Sequence, residues 1–227
     1  MKSISASGHK FGLAPLGVGW ILWRDKKDLP DDLVFKSNYL GGEMPTFAIN
    51  FSRPAGQINA QYDNFIRLGR DGNRKVYMDC HHTAQYLAHE IAKLGPFDLL
   101  CDGDPEKGLP AVTWKIKEGV APGYTLFDLA DRLRVRGWQV PAYTLPSNLQ
   151  NVPVQRILVR QGLTRDLAQI LIDDLRRAIA HFAKHPVNAP MTEAEAGGFN
   201  HGRGPSLWIF APAPKLAPIG KPAPGSA

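Results

Sequence analysis

Cysteine is scarce in this 227-residue chain: two thiols, Cys80 and Cys101, sit in stretches that read as a helix and a strand. They have no CxxC spacing and form no thiol framework, which excludes a disulfide scaffold and points to the reduced thiols of a cytoplasmic protein. Long hydrophobic runs are lacking as well. The longest apolar stretch, Phe11 to Trp23, is broken by Gly and Pro and falls short of the about 20 residues that a membrane span needs. His9 and Lys10 interrupt the amino side of any signal-peptide layout. Lys/Arg runs never exceed two residues, and no basic stripe interleaved with aromatics appears, which argues against a nucleic-acid partner. The excess of 27 Lys and Arg over 21 Asp and Glu, a formal charge of +6, therefore permits an anionic ligand without specifying a polyanion. No internal repeat is present.

The rest of the composition is that of a folding chain, with 44% hydrophobic and 21% charged residues. The length suits one large domain or two small ones. Residues 17–25, GVGWILWRD, read as a short buried strand after a Pro-containing loop. Residues 31–57 are rich in Gly, Pro and Asn, carry no helical period and read as a long functional loop. From about Gly56 to Leu94 the pattern is helical, with a break at GRDGN (69–73) and a stop at Gly95-Pro96.

Strands are then expected at FDLLCDG (97–103) and AVTWKIKEG (111–119), the second alternating Val112, Trp114 and Ile116. Thr125 is placed to cap a helix ending at Gly137, with Leu126, Leu129, Ala130 and Leu133 on one face. WQVPAYT and VQRILVR follow as strands. A last amphipathic helix, Thr164 to Lys184, turns Leu167, Leu171, Leu175, Ala178 and Phe182 to the core and ends at His185-Pro186. Residues 80–190 thus read as a compact α+β unit. Residues 1–79, with one strand, one loop and one long helical stretch, cannot bury their own faces and should require further protein. Residues 191–227 form a flexible tail, in which Pro205, Pro212, Pro214, Pro218, Pro222 and Pro224 forbid a continuous helix.

Lys10 stands out within SISASGHKFGLAPLG (3–17). Small residues precede it and Gly and Pro follow, so backbone can approach a ligand closely. A lysine used chemically must be neutral part of the time, which burial and neighbouring cations such as His9 promote. From the residues alone Lys10 is either a Schiff-base lysine or an ordinary loop lysine. His81, His82 and His89 do not make a metal site: adjacent histidines diverge on a helix, and neither cysteine nor carboxylate completes the set.

SISASGHKFGLAPLGVGWILWRD, followed at a suitable distance by YLGGEMPTFAINFSRPAGQ, resembles the pyridoxal-phosphate-dependent glutamate decarboxylases of the group II decarboxylase family. The resemblance continues through IAKLGPFDLLC, PGYTLFDLADRLRVRGWQVPAYTLP and QRILVRQG, covering about residues 2–190. It implies an α/β and α+β architecture of the fold type I, aminotransferase-like class. Residues 1–79 would be the carboxy-terminal part of a truncated cofactor-binding large domain, and 80–190 the small carboxy-terminal domain. In the family much of the cofactor domain precedes the lysine, and here nine residues do.

The resemblance further implies that Lys10 carries the aldehyde of pyridoxal 5'-phosphate, with Ser7 and His9 near its phosphate. Phe51 and Ser52 would reach the cofactor of a neighbouring subunit in a homodimer or higher homo-oligomer, and Arg156 would grip the substrate carboxylate as a planar charged fork. His201 would close the site. The implied reaction is decarboxylation of L-glutamate to 4-aminobutanoate and CO2, with this chain alone a poor enzyme. Without the motif context Ser7 and Ser52 are turn residues, Phe51 is core packing and Arg156 is a strand-edge ion pair. The rival readings are a noncatalytic remnant or interaction module and a decarboxylase of another amino acid. Trp208, Lys215 and Lys221 have the residue types of a calmodulin-binding tail, but the surrounding prolines oppose the helix it needs.

Overall fold

The polypeptide begins in a two-stranded antiparallel ribbon, β1 (Ser3–Ser7) against β2 (Gly19–Trp23), with Ser3 opposite Trp23 and Ser7 opposite Gly19. The computed structural model describes residues 1–38, 41–46 and 52–195. Between the two strands a single helical turn, α1 (Gly8–Phe11), carries Lys10. The strand expected at 17–25 is present, but it is not buried: Ile21 and Leu22 are 44% and 59% exposed. The cause is its setting, because β1 is its sole ladder partner among the described residues. Trp20 finds cover by stacking on Phe65 at 5.8 Å.

The stretch expected to be a loop contains a second hairpin, β3 (Phe35–Ser37) with β4 (Met44–Thr46), pinned by an ion pair of 2.7 Å between Lys36 and Glu43. Three-residue strands are too short to show alternation, and Gly41, at φ 91°, supplies the left-handed backbone of the turn. Phe51 lies outside the described residues.

The long helical segment is one kinked rod, α2 (Gly56–Ala92), with the break at Gly69, whose φ of 60° and ψ of −167° suit only glycine. Asn73 donates to the Gly69 carbonyl freed there, at 2.7 Å. Beyond the kink, Cys80, Ala84, Leu87, Ala88 and Ile91 recur at helical spacing and are buried. Before it, Ile58, Tyr62 and Ile66 remain exposed. The boundary expected at residue 79 falls inside this helix.

The second half of α2 packs on a four-stranded antiparallel sheet in the order β5 (Phe97–Asp102), β6 (Ala111–Ile116), β8 (Pro153–Leu158), β7 (Ala142–Thr144). Trp138 to Val140, expected as part of a strand, precede β7 as irregular chain. Val112 and Trp114 of β6 and Val154 of β8 are fully buried. They face α3 (Leu126–Arg134) and α4 (Arg165–Lys184), which bring Leu126, Leu129, Leu133, Ile172 and Leu175 to the same core.

Both helices start at threonine caps. Thr125 and Asp128 form a reciprocal capping box on α3, and the Thr164 hydroxyl accepts from the Leu167 N–H on α4. Leu167, expected in the core, is 40% exposed, and the first turn of α4 buries Ala168 instead. Leu167 stands at the edge of the apolar stripe, where a one-residue step of 100° exchanges burial for exposure. No helix among the described residues is long and apolar enough to cross a membrane. Of the expected tail, 191–227, Met191 is instead tied to the start of α3, its N–H donating to Asp128 Oδ1 at 3.0 Å and its carbonyl accepting from the Thr125 hydroxyl at 3.1 Å, and residues 196–227 lie outside the described residues.

Candidate functional site

Local geometry fixes the segment around Lys10 tightly. The Gly8 N–H donates to the Val18 carbonyl at 2.9 Å, closing the β1–α1–β2 corner. A Cβ on Gly8 would stand 2.6 Å from Gln61 Nε2 and 2.7 Å from Val18 Cγ1, and one on Gly12 would stand 2.6 Å from the Gly8 carbonyl oxygen. Both glycines are therefore required by close approach to α2, whose Gln61 side chain is buried against them. The chain leaves α1 through Leu13, a non-glycine residue held at φ 52°.

A single turn of helix leaves its carbonyls without internal partners. Here three alternate carbonyls receive external donors: the Arg160 guanidinium reaches that of His9 at 2.9 Å, the Tyr77 hydroxyl that of Phe11, and the Asn64 amide that of Leu13 at 2.8 Å. Lys10 is thus clamped from α2 and from the chain just after β8. Burial and the neighbouring Cys80 push the Tyr77 hydroxyl up from its ordinary value, so it stays protonated and donates.

A cavity of about 210 Å³ opens beside this turn, lined by Lys10 and His9 on α1, Tyr77 and Cys80 on α2, and Leu158 to Gln161 at the end of β8. Among the described residues its charged lining is cationic, with Lys10 and Arg160 and no carboxylate. Burial, then the nearby Asp79 carboxylate, raises the Cys80 thiol, which is therefore an un-ionised packing group and not a nucleophile. A shallow groove on the other side of α1 is lined by Ser7, His9, Gly17 and Gly19. The Ser7 hydroxyl makes no capping bond to α1.

Of the expected site residues, Ser7, His9 and Lys10 come together around α1. Lys10 is exposed, so the described residues do not supply the burial expected of it. Arg156 lies elsewhere, exposed on β8 with its guanidinium 5.6 Å from the Tyr143 ring centre. Ser52 is exposed on the approach to α2, and His201, like Phe51, lies outside the described residues. His81 is buried with its Nδ1 2.7 Å from the Gly103 carbonyl oxygen.

Arg160 was not anticipated, although a signal for it existed. The strand alternation of exposed Arg156, buried Ile157, exposed Leu158 and buried Val159 continues to an exposed position 160. Asn64 and Gln61, three apart on one helix face, were equally readable in QYDNF. For a planar phosphorylated aldehyde the segment offers an amine at Lys10 and, in the groove beside it, the Ser7 hydroxyl and the His9 imidazole for the phosphate. A carboxylate to pair with a ring nitrogen is not part of the cavity lining.

Comparison with known proteins agrees with that chemistry. The chain is 56% identical over 202 residues to glutamate decarboxylase of Aliivibrio fischeri, spanning 89% of this chain and 43% of that protein. The solved glutamate decarboxylase of Lactobacillus brevis superposes with a TM-score of 0.73 at 46% identity, over 83% of this chain and 42% of that one. The sphingosine-1-phosphate lyase of Burkholderia pseudomallei shares the fold, with a TM-score of 0.62 at 23% identity over 82% of this chain and 39% of its own length. The chain therefore spans less than half the length of these relatives. The pyridoxal-dependent decarboxylase conserved domain matches residues 1–117, and with that match over half its length the chain, a fold type I protein, belongs to the pyridoxal-dependent decarboxylase family.

Proposed function

We propose that this chain is the lysine-bearing portion of a glutamate decarboxylase, which converts L-glutamate and a proton to 4-aminobutanoate and CO2. The carrying observation is the position of Lys10, the one amine lining the cavity beside α1, on a turn whose carbonyls are tied at His9, Phe11 and Leu13. Relatives named glutamate decarboxylase support the choice of substrate.

Pyridoxal phosphate, when bound, supplies the electron sink for the bond broken at the substrate Cα. Lys10 would hold the aldehyde end of that group, and Ser7 and His9 would hold its phosphate end. Arg156 binds a substrate carboxylate and restricts its orientation, an effect of positioning. Arg160 lines the cavity beside Lys10 and donates to the His9 carbonyl. Its role is to hold the Lys10 turn in place. Phe51 and Ser52 reach the neighbouring subunit of a cytoplasmic homodimer or higher homo-oligomer. Residues 1–79 belong to the cofactor domain and 80–190 form the small domain.

Two observations favour a second reading for the chain by itself. Lys10 is exposed, and among the described residues the cavity lining holds no carboxylate. An isolated chain of this kind is a slow enzyme or a noncatalytic module.

The test is a chimera in which this chain replaces the matching portion of the Aliivibrio fischeri enzyme. Release of 4-aminobutanoate from glutamate, lost in Lys10→Ala, supports the proposal. A folded chimera that is inert, or that decarboxylates another amino acid in preference, contradicts it.

A further inference from the structure

A second charged cavity, of about 460 Å³, lies on the α3–α4 face and shares no lining residue with the cavity at Lys10. Three arginines line it: Arg132 from the last turn of α3, Arg136 just beyond that turn, and Arg177 from α4. One carboxylate accompanies them, that of Asp174, which is 3% exposed. Asp174 Oδ1 accepts from Arg136 Nε at 3.2 Å and from Arg177 Nη1 at 2.8 Å, and Oδ2 accepts from Trp138 Nε1 at 2.9 Å. The acid is thus saturated by donors, and the lining keeps a formal charge of +2.

The geometry separates this cluster from an ordinary solvated face. A buried carboxylate anchors two guanidinium groups through one nitrogen each, and each guanidinium has five N–H donors in a rigid fork. The groups that remain are pre-oriented at the cavity mouth and need little ordering when a ligand arrives. Arg132 has no ion-pair partner among the described residues. Interaction with a helix dipole accounts for a cation in the last turn of α3, but not for Arg136 and Arg177 converging on the same cavity from other elements.

We propose that this cavity binds a tetrahedral oxyanion, inorganic phosphate or the phosphate of a small ester. A phosphate dianion matches the +2 of the lining, and its oxygens match several guanidinium forks at once. The site does not depend on the proposed decarboxylation.

The test titrates the full chain with inorganic phosphate in a calorimeter, at ionic strength held constant with sodium chloride, with glycerol phosphate in a parallel arm. Saturable one-to-one binding is expected, weakened roughly tenfold or more in Arg132→Gln and unchanged in Arg70→Gln, which removes an exposed charge on α2 that is not part of the cavity lining. Tighter binding of glycerol phosphate identifies an ester as the preferred form, and tighter binding of inorganic phosphate the free ion. Because Arg132 makes no ion pair, its substitution leaves the fold intact, verified by circular dichroism. Absence of saturable binding, or equal affinity in Arg132→Gln, overturns the proposal.

Discussion

Replacing Asp174 by Asn tests the polar anchor of the α3–α4 face. The carboxylate oxygens accept from three side chains, and the amide retains one acceptor oxygen. If that oxygen faces the two arginines, the amide N–H groups meet the Trp138 indole N–H, leaving a donor unsatisfied at a cost of about 1–3 kcal/mol. Loss of the negative charge weakens the two bonds from arginine, charge-assisted bonds being worth about 1.5–3 kcal/mol each. Both arginine side chains are more than half exposed, at 59% and 67%, so water recovers most of that second loss.

The net expectation for Asp174→Asn is about 2–3 kcal/mol, read as a lower urea midpoint with an unchanged slope. The pH dependence adds a second readout. Burial raises the Asp174 carboxyl, but hydrogen bonds from Trp138 and Arg177 and the Arg136 charge outweigh it, leaving the group below its ordinary value. A depressed folded value means the contribution is fully present above the unfolded value, near 3.9, and is lost as pH falls through the folded one. The gap between wild type and Asp174→Asn should therefore be constant at neutral pH and narrow below about pH 4. A gap under about 0.5 kcal/mol, within the range of ordinary surface substitutions, would refute the reasoning.

Three further outcomes follow from the Lys10 segment and its surroundings. Arg160→Met removes the donor to the His9 carbonyl and should cut the selectivity of Lys10 labelling by pyridoxal phosphate several-fold while overall helicity is kept; unchanged selectivity would deny it a positioning role. Gly8→Ala forces a Cβ to within 2.8 Å of the Val18 carbonyl oxygen, and overpacking of this kind costs about 1–3 kcal/mol in urea unfolding. Native alkylation by iodoacetamide at pH 8 should modify Cys101 before Cys80, whose thiol is buried and shifted upward, and the two should react alike after denaturation.

Much of the carboxy-terminal half was legible because each element carries its own signal. Thr125 and Asp128 announce the start of α3, Val112 and Trp114 alternate on β6, and Gly95 precedes the strand that follows α2. The glycine of GRDGN was legible as a break, and Gly69, with its non-helical φ and ψ, separates the two helical halves of α2 at a kink. The amino-terminal part was harder because hydrophobic pattern reports an affinity for burial and not its fulfilment. Ile21 and Leu22 read as part of a buried strand and stand exposed. Lys10 was found through its small neighbours, whereas Arg160 was not, since its bond to the His9 carbonyl joins residues 151 positions apart. No local period encodes such a contact. Arg156, prominent in the sequence, shares the exposed face of β8 and its continuation with Leu158 and Arg160, but its guanidinium lies over the Tyr143 ring and it is not among the residues lining the cavity at Lys10.

The central claim is that Lys10 is the amine that takes the cofactor aldehyde. Its most direct test is to incubate the purified chain with pyridoxal phosphate, reduce with borohydride, and map the modified peptide by mass. Label concentrated on Lys10, lost in Lys10→Arg and not transferred to other lysines, is the predicted result. Label spread evenly over the lysines, or unaltered by Lys10→Arg, would contradict the account.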